Sequence, residues 1–275
     1  MNRLFYALIA LFILVSCTKS TDDLLDVSKG EDENEKKTPH LELKVENNQG
    51  NIFDLMVFYL SSEDNINLND LREAYDSIVW VVKDVPGSLK VLQYTDYSSR
   101  LVRQWSHNFN LPGIYETYLL GYKNDKIVYS DTTEVQLLND KDFIGYNWKD
   151  ITGSLGHSTG YQDVLSNEYR FSTYQDIHNN VPSVELFLRD KKNMDETAFQ
   201  QKSKTILANY MTSLYGKPMY SATDERLFEK YNTLFSYKHE KGKPQCIWIT
   251  LKSNIVLLEY YNRDQVEYII YAEPV

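Results

Sequence analysis

The segment Gly156-His157-Ser158-Thr159-Gly160 has the spacing Gly-x-Ser-x-Gly, in which a strained strand-to-helix turn can present a serine as a nucleophile. Asp163 or Asp176 with His178 or His239 would complete a triad, with the histidine taking the serine proton and the aspartate orienting the histidine. The surroundings do not suit that chemistry. Tyr161 to Asn167 is too short and too polar for the packed helix that must follow, and the later chain lacks the alternating helices and strands of a parallel sheet. A glycine-rich hairpin with serines fits the segment better. Gly153-Ser154-Leu155-Gly156-His157-Ser158 also lacks the Gly-Lys-Ser/Thr ending of a phosphate loop. His40, His107, His157, His178 and His239 are scattered, with no His-x-x-x-His pair and no cysteine pair, so no metal site and no cofactor is expected. Paired carboxylates meet only in three dimensions, so hydrolysis by Ser158 or by a carboxylate pair stays open as the alternative to binding.

Aromatic side chains are the second chemistry on offer. The chain holds 22 tyrosines, with Trp148, Tyr161, Tyr169 and Tyr174 in one cluster and Tyr260, Tyr261, Tyr268 and Tyr271 near the end. Flat rings stack on sugar rings, but tyrosines also populate half-buried sheets with the ring packed and the hydroxyl wet. Alternation sends Tyr260 and Tyr261 to opposite faces of one strand, so only part of the set can share a surface.

These residues need elements to hold them. At 275 residues, with 42% hydrophobic and 25% charged side chains, the chain is an ordinary folded protein with room for two domains. A net charge of −10 argues against a nucleic-acid partner. Leu41–Val45, Ile52–Leu60, Ile78–Val82, Leu89–Leu92, Ile114–Tyr122, Ile127–Tyr129 and Glu134–Leu138 read as strands separated by turn signals such as Leu111-Pro112-Gly113. With no helix among them, they predict an all-β sandwich over 40–139. From 140 the grammar changes. Phe143–Leu155, Glu168–Tyr174 and Ser183–Arg189 read as strands. Phe199, Ile206, Leu207, Tyr210, Met211 and Leu214 then recur at helical spacing, with Asn193 and Glu196 as a capping box and Gly216 and Pro218 as the stop. A second helix is predicted from Thr223, and Cys246–Leu251, Ile255–Tyr261 and Val266–Ala272 form an antiparallel meander. The region 140–275 is therefore predicted as an α+β domain with an antiparallel sheet and two helices covering one sheet face.

The N-terminus carries a different signal. Arg3 precedes the unbroken apolar run Leu4–Val15, too short for a bilayer span and fitting the core of a secretory signal peptide. Leu14-Val15-Ser16-Cys17 resembles the lipobox of bacterial lipoproteins. The resemblance implies that residues 1–16 are a lipoprotein signal peptide and that Cys17 becomes the lipidated first residue, anchoring the chain in a membrane. Residues 17–39 are polar and charged, a flexible acidic tether. Lys19-Ser20-Thr21-Asp22-Asp23 resembles the acidic signals that send some lipoproteins to the outer surface of the bacterial outer membrane. With Cys17 acylated, Cys246 has no disulfide partner and is expected as a small buried hydrophobe in a strand.

Within 41–138, His107-Asn108-Phe109 followed by Gly113-Ile114-Tyr115 resembles the His-x-Phe…Gly-x-Tyr core of the polycystic-kidney-disease (PKD) branch of immunoglobulin-like domains, and Trp80 stands where that family has its central-strand tryptophan. The resemblance implies an immunoglobulin-like sandwich used for spacing or binding. The expectation is a lipid-anchored, non-catalytic binding or assembly module at the outer membrane, with a glycan or an outer-membrane protein as partner. Its contact is expected at a tryptophan or tyrosine near Trp148 or on the last hairpin.

Overall fold

The computed structural model describes residues 41–61, 68–84, 90–93, 104–157, 169–190, 196–240, 242–262 and 265–275. The expected signal peptide, Cys17 and the tether lie outside them, as do Ser158, Tyr161, Asp163 and Asn193. The described chain is mostly strand, in largely antiparallel sheets, with three α-helices. None of those helices is long and apolar enough to cross a membrane.

The first half runs β1 (Glu42–Val45), β2 (Gln49–Asn51), β3 (Leu55–Ser61), α1 (Leu68–Ala74), β4 (Ser77–Val82), β5 (Lys90–Gln93), β6 (Gln104–Asn108), β7 (Gly113–Lys123) and β8 (Lys126–Leu138). These strands make a three-stranded sheet, β1-β3-β6, and a five-stranded sheet, β2-β8-β7-β4-β5. Alternation turns Leu43, Met56 and Phe58 from one sheet and Ile78, Trp80, Val82, Leu119, Val135 and Leu137 from the other into one shared core. Two sheets closed over a common core form a sandwich. The rings of Trp80 and Trp105 stack at 6.0 Å between them. The Tyr115 hydroxyl donates to the Leu111 carbonyl at 2.7 Å, pinning the turn before β7.

Three expectations change here. Ile127–Tyr129 and Glu134–Leu138 are one strand, because the β-branched Thr132 and Thr133 carry the ladder between them. The apolar run from Ile52 starts its strand only at Leu55, since Asp54 accepts the Asn51 amide at 2.8 Å and folds Ile52–Asp54 into a turn. A short helix, α1, occupies Leu68–Ala74 where none was expected. Its seven residues are too few for a helical period to stand out.

Phe143–Leu155 is not a strand either. The Asp142 carboxylate accepts the Trp148 amide at 2.8 Å and the Asn147 side chain donates to Asp150 at 2.9 Å. These local bonds fold the segment into turns and a 3-10 turn at Trp148–Asp150. Then come β9 (Leu155–His157), β10 (Tyr169–His178), β11 (Val181–Asp190), α2 (Glu196–Tyr215), β12 (Tyr220–Ser221), α3 (Leu227–Leu234), β13 (Gly242–Ile249), β14 (Ser253–Asn262) and β15 (Gln265–Pro274). The strands form a seven-stranded sheet in the order β12-β13-β14-β15-β11-β10-β9. Gly216, at a φ of 79°, ends α2 in the left-handed conformation that a residue with a Cβ disfavours. α3 begins after Thr223 because Asp224 takes the Arg226 amide at 2.9 Å and makes a turn first.

The two helices lie on opposite faces of this sheet, not on one. Leu207, Tyr210 and Met211 of α2 pack on Leu186, Ile255, Leu257 and Ile270. Leu227 and Tyr231 of α3, with Phe235 behind them, pack on Ile247, Val256, Leu258, Ile269 and Tyr271. The physical reason stands in β14, where Ile255, Val256, Leu257 and Leu258 are all buried, so both parities of the strand face apolar cover.

Residues of the sandwich enter this second core. Ile52 is buried beside Phe143 and Trp148, with Phe53 and Leu111 packed against the same cluster. The described residues from 41 onward accordingly belong to one compact unit, Pro39–Val275.

Candidate ligand-binding groove

Strand alternation places Glu185, Phe187 and Arg189 of β11 on the sheet face that α3 occupies, opposite the face that buries Val184, Leu186 and Leu188. α3 covers only part of that face. The remainder is a groove of about 300 Å³. Phe187 and its cross-strand partner Ile269 form the middle row of its lining. Tyr260 and its partner Glu267 form the next row toward the β14–β15 turn, where Arg189 also lies, its guanidinium 5.5 Å from the centre of the Phe187 ring. Glu185 and His239 close the end nearer α3.

His239 reaches the groove because the chain after α3 is pinned across the sheet. The buried Glu273 carboxylate accepts the Ser236 amide at 2.6 Å, the Ser236 hydroxyl at 2.8 Å and the Tyr271 hydroxyl at 3.1 Å. The His239 amide donates to the Tyr231 hydroxyl at 3.2 Å. The Gly242 amide then donates to the His239 carbonyl at 2.8 Å, in a turn so tight that a Cβ at Gly242 would stand 2.8 Å from the His239 Cβ. Only glycine fits there.

So held, the His239 side chain is 9% exposed, with its Nε2 atom 3.2 Å from a Glu185 carboxylate oxygen. The contact is too poorly directed to be a hydrogen bond, and Nε2 has no hydrogen-bond partner. The rings of Tyr237, Tyr260 and Tyr271 meet the imidazole edge to face at 5.0, 5.6 and 5.2 Å. Burial first, then the Glu185 carboxylate, hold the Tyr237 hydroxyl above the usual tyrosine range, so Tyr237 remains neutral.

Of the candidate triad, Ser158 and Asp163 lie outside the described residues, and the frame places Asp176, His178 and His239. Asp176 and His178 do approach, at 3.7 Å, but the Asp176 carboxylate accepts the Ser154 hydroxyl, which is the leading reason its acidity is strengthened. Tyr237 stacks on the His178 ring at 4.0 Å. His239 faces Glu185, a carboxylate that sequence reasoning did not single out. Glu185 lies opposite Tyr271, and Glu267 stands four residues further along β15, about 13 Å of strand away at the backbone. Among the described residues, no three His, Cys, Asp or Glu side chains gather where they could hold a metal ion.

Of the aromatic candidates, Tyr260 lines the groove. Trp148 is 9% exposed, stacked on Phe143 at 6.2 Å, and its indole donates to the Lys252 carbonyl at 2.9 Å. Tyr271 is fully buried, and Tyr261 and Tyr268 lie on the opposite sheet face with hydroxyls bonded to Glu259. Tyr174 shares the groove's face as the cross-strand partner of Glu185. Cys246 is half-buried, and burial pushes its thiol up, away from the reactive thiolate. Sequence reasoning missed Glu185, Phe187, Arg189 and His239. The first three share one parity of a strand whose other parity carries Val184, Leu186 and Leu188, a readable signal, whereas His239 carries none.

The chain matches no described protein family, and no curated protein matches it. Among solved structures it is similar to a β-sandwich carbohydrate-binding module, described under "Structural basis for the promiscuous specificity of the carbohydrate-binding modules from the beta-sandwich super family". The two share 15% identity at a TM-score of 0.28, over 56% of this chain. The match spans 59% of the length of that structure.

Proposed function

We propose that this chain is a lipid-anchored protein of the bacterial outer membrane that binds glycan without turning it over, at the groove on the seven-stranded sheet. The observation that carries the binding site is the lining itself. It sets the rings of Tyr260 and Phe187 beside the polar heads of Glu185, Arg189 and His239 in one cleft. Sugars present apolar ring faces edged with hydroxyls, so rings to stack on and a few fixed polar groups are the recognition they require. The apolar run Leu4–Val15 before Leu14-Val15-Ser16-Cys17 supports the anchor, and the acidic residues behind Cys17 support a surface address.

In this reading, residues 40–139 are an immunoglobulin-like spacer and 140–275 the binding domain. The Tyr115 hydroxyl bonded to the Leu111 carbonyl four residues upstream supports the immunoglobulin-like assignment, since such domains carry a tyrosine corner of this kind. A tether widens the capture radius while the anchor keeps local concentration high. Screening the purified chain against polysaccharides and ester substrates tests the proposal. Binding without product release, unchanged in Ser158→Ala, is expected. Hydrolysis that disappears in Ser158→Ala would make the protein an enzyme.

A further inference from the structure

We propose that the groove selects an amino sugar whose nitrogen is unacylated and protonated, with the ammonium group seated between Glu185 and His239. This rests on the glycan reading above and adds the charge of the ligand. The end of the groove near α3 is rich in acceptors and poor in donors. Glu185 offers two carboxylate oxygens, and among the described residues its one ion-pair contact is His239. The His239 side chain is nine-tenths buried and its Nε2 is left without a hydrogen bond. A neutral imidazole protonated on Nδ1 presents an acceptor at Nε2. An ammonium group carries three donors and no acceptor, so it can satisfy Nε2 and the carboxylate together.

The surrounding charge points the same way. Tyr237 lies in the field of Glu185, Glu240 and Asp176, and Glu273 is buried under the Ser236 turn. The Tyr260 ring lines the groove 5.6 Å from the imidazole, and a cation gains further from an aromatic face. The lining's arginine, Arg189, lies at the far end in the row of Glu267. An acidic sugar would have to set its carboxylate against Glu185, and an acetylated nitrogen would bring bulk and no charge.

Calorimetry of the detergent-solubilised full chain with three oligosaccharides of equal length, built from glucosamine, N-acetylglucosamine and glucose, tests this where the amine is protonated. Glucosamine should bind about tenfold or more tighter than either neutral oligomer, and Glu185→Gln should bring all three to one level. Glu259→Gln, on the opposite sheet face, should keep the preference, and circular dichroism reads whether each variant folds. Equal binding of the three, or a preference that survives in folded Glu185→Gln, overturns the amine assignment while leaving glycan binding standing. Binding of a simple diamine that needs Glu185, with no oligosaccharide bound, keeps the ammonium seat and overturns the glycan reading. No binding by any probe overturns both.

Discussion

The hydroxyl of Tyr210, on helix α2, donates to the main-chain carbonyl of Asn110, 2.9 Å away and 100 residues earlier in the chain. Tyr210 is buried, and burial pushes its hydroxyl well above the ordinary tyrosine range, so it remains a donor. The bond ties the turn before β7 to the helix backing the groove-bearing sheet. Ile52 and Leu111 pack into the same core.

That joint predicts cooperative unfolding. Ile52 is 1% exposed, so Ile52→Ala should cost about 3 kcal/mol from lost burial and the cavity left behind. Calorimetry should record a single transition for 41–275 that moves down as a whole in the variant. Two separated transitions, with only the first shifted, would contradict the shared core.

A second prediction concerns acid. His107 stacks on Trp105 at 5.5 Å and meets Phe109 edge to face at 4.9 Å, and burial lowers its pKa from 6.5 to about 4. Folding therefore favours the neutral ring. The unfolded chain binds the extra proton first, so stability is full above pH 6.5 and falls as the pH drops toward 4, by roughly 3 kcal/mol from this residue. In denaturant melts across that window, wild type should lose stability relative to His107→Leu as pH falls. A constant gap between them would remove His107 from the account.

A third prediction isolates the turn that carries His239. Gly242→Ala forces its new methyl against the His239 Cβ and carbonyl, at 2.8 and 3.2 Å. Relief requires the histidine to move off Glu185, at about 1–3 kcal/mol of stability. Ligand affinity should fall in the folded variant. Undiminished affinity would mean that the position of His239 does not matter to the site.

The fourth concerns anchoring. Cys17→Ala should abolish incorporation of labelled fatty acid and move the chain into the soluble or uncleaved fraction. Label retained in the variant would place any lipid elsewhere.

Much of the frame was legible because its signals are local. The recurrence of Leu207, Tyr210, Met211 and Leu214 marks α2, and Ile78–Val82 and Ser183–Arg189 mark strands in their observed places. What was illegible depends on partners far along the chain. Nothing near Trp148 tells that its indole will meet a carbonyl 104 residues later. Nothing near His239 tells that Glu273 will pull Ser236, 37 residues before it, across the sheet. The turns over 143–155 were misread for a related reason. Apolar residues there feed a core from loops, so their spacing obeys neither a strand nor a helix period.

The central claim is that the α3-side face of the seven-stranded sheet binds sugar, and neighbouring tyrosines test it most directly. Tyr260 lines the groove, whereas Tyr261 points to the other face and is 45% exposed there. The measurement is the affinity of the full chain for its best-binding oligosaccharide in Tyr260→Ala and in Tyr261→Ala. Tyr260→Ala should lose about tenfold or more, as truncation of a buried aromatic contact does, with Tyr261→Ala at the wild-type value. Loss in Tyr261→Ala with Tyr260→Ala unchanged would put the ligand on the opposite face and contradict the account.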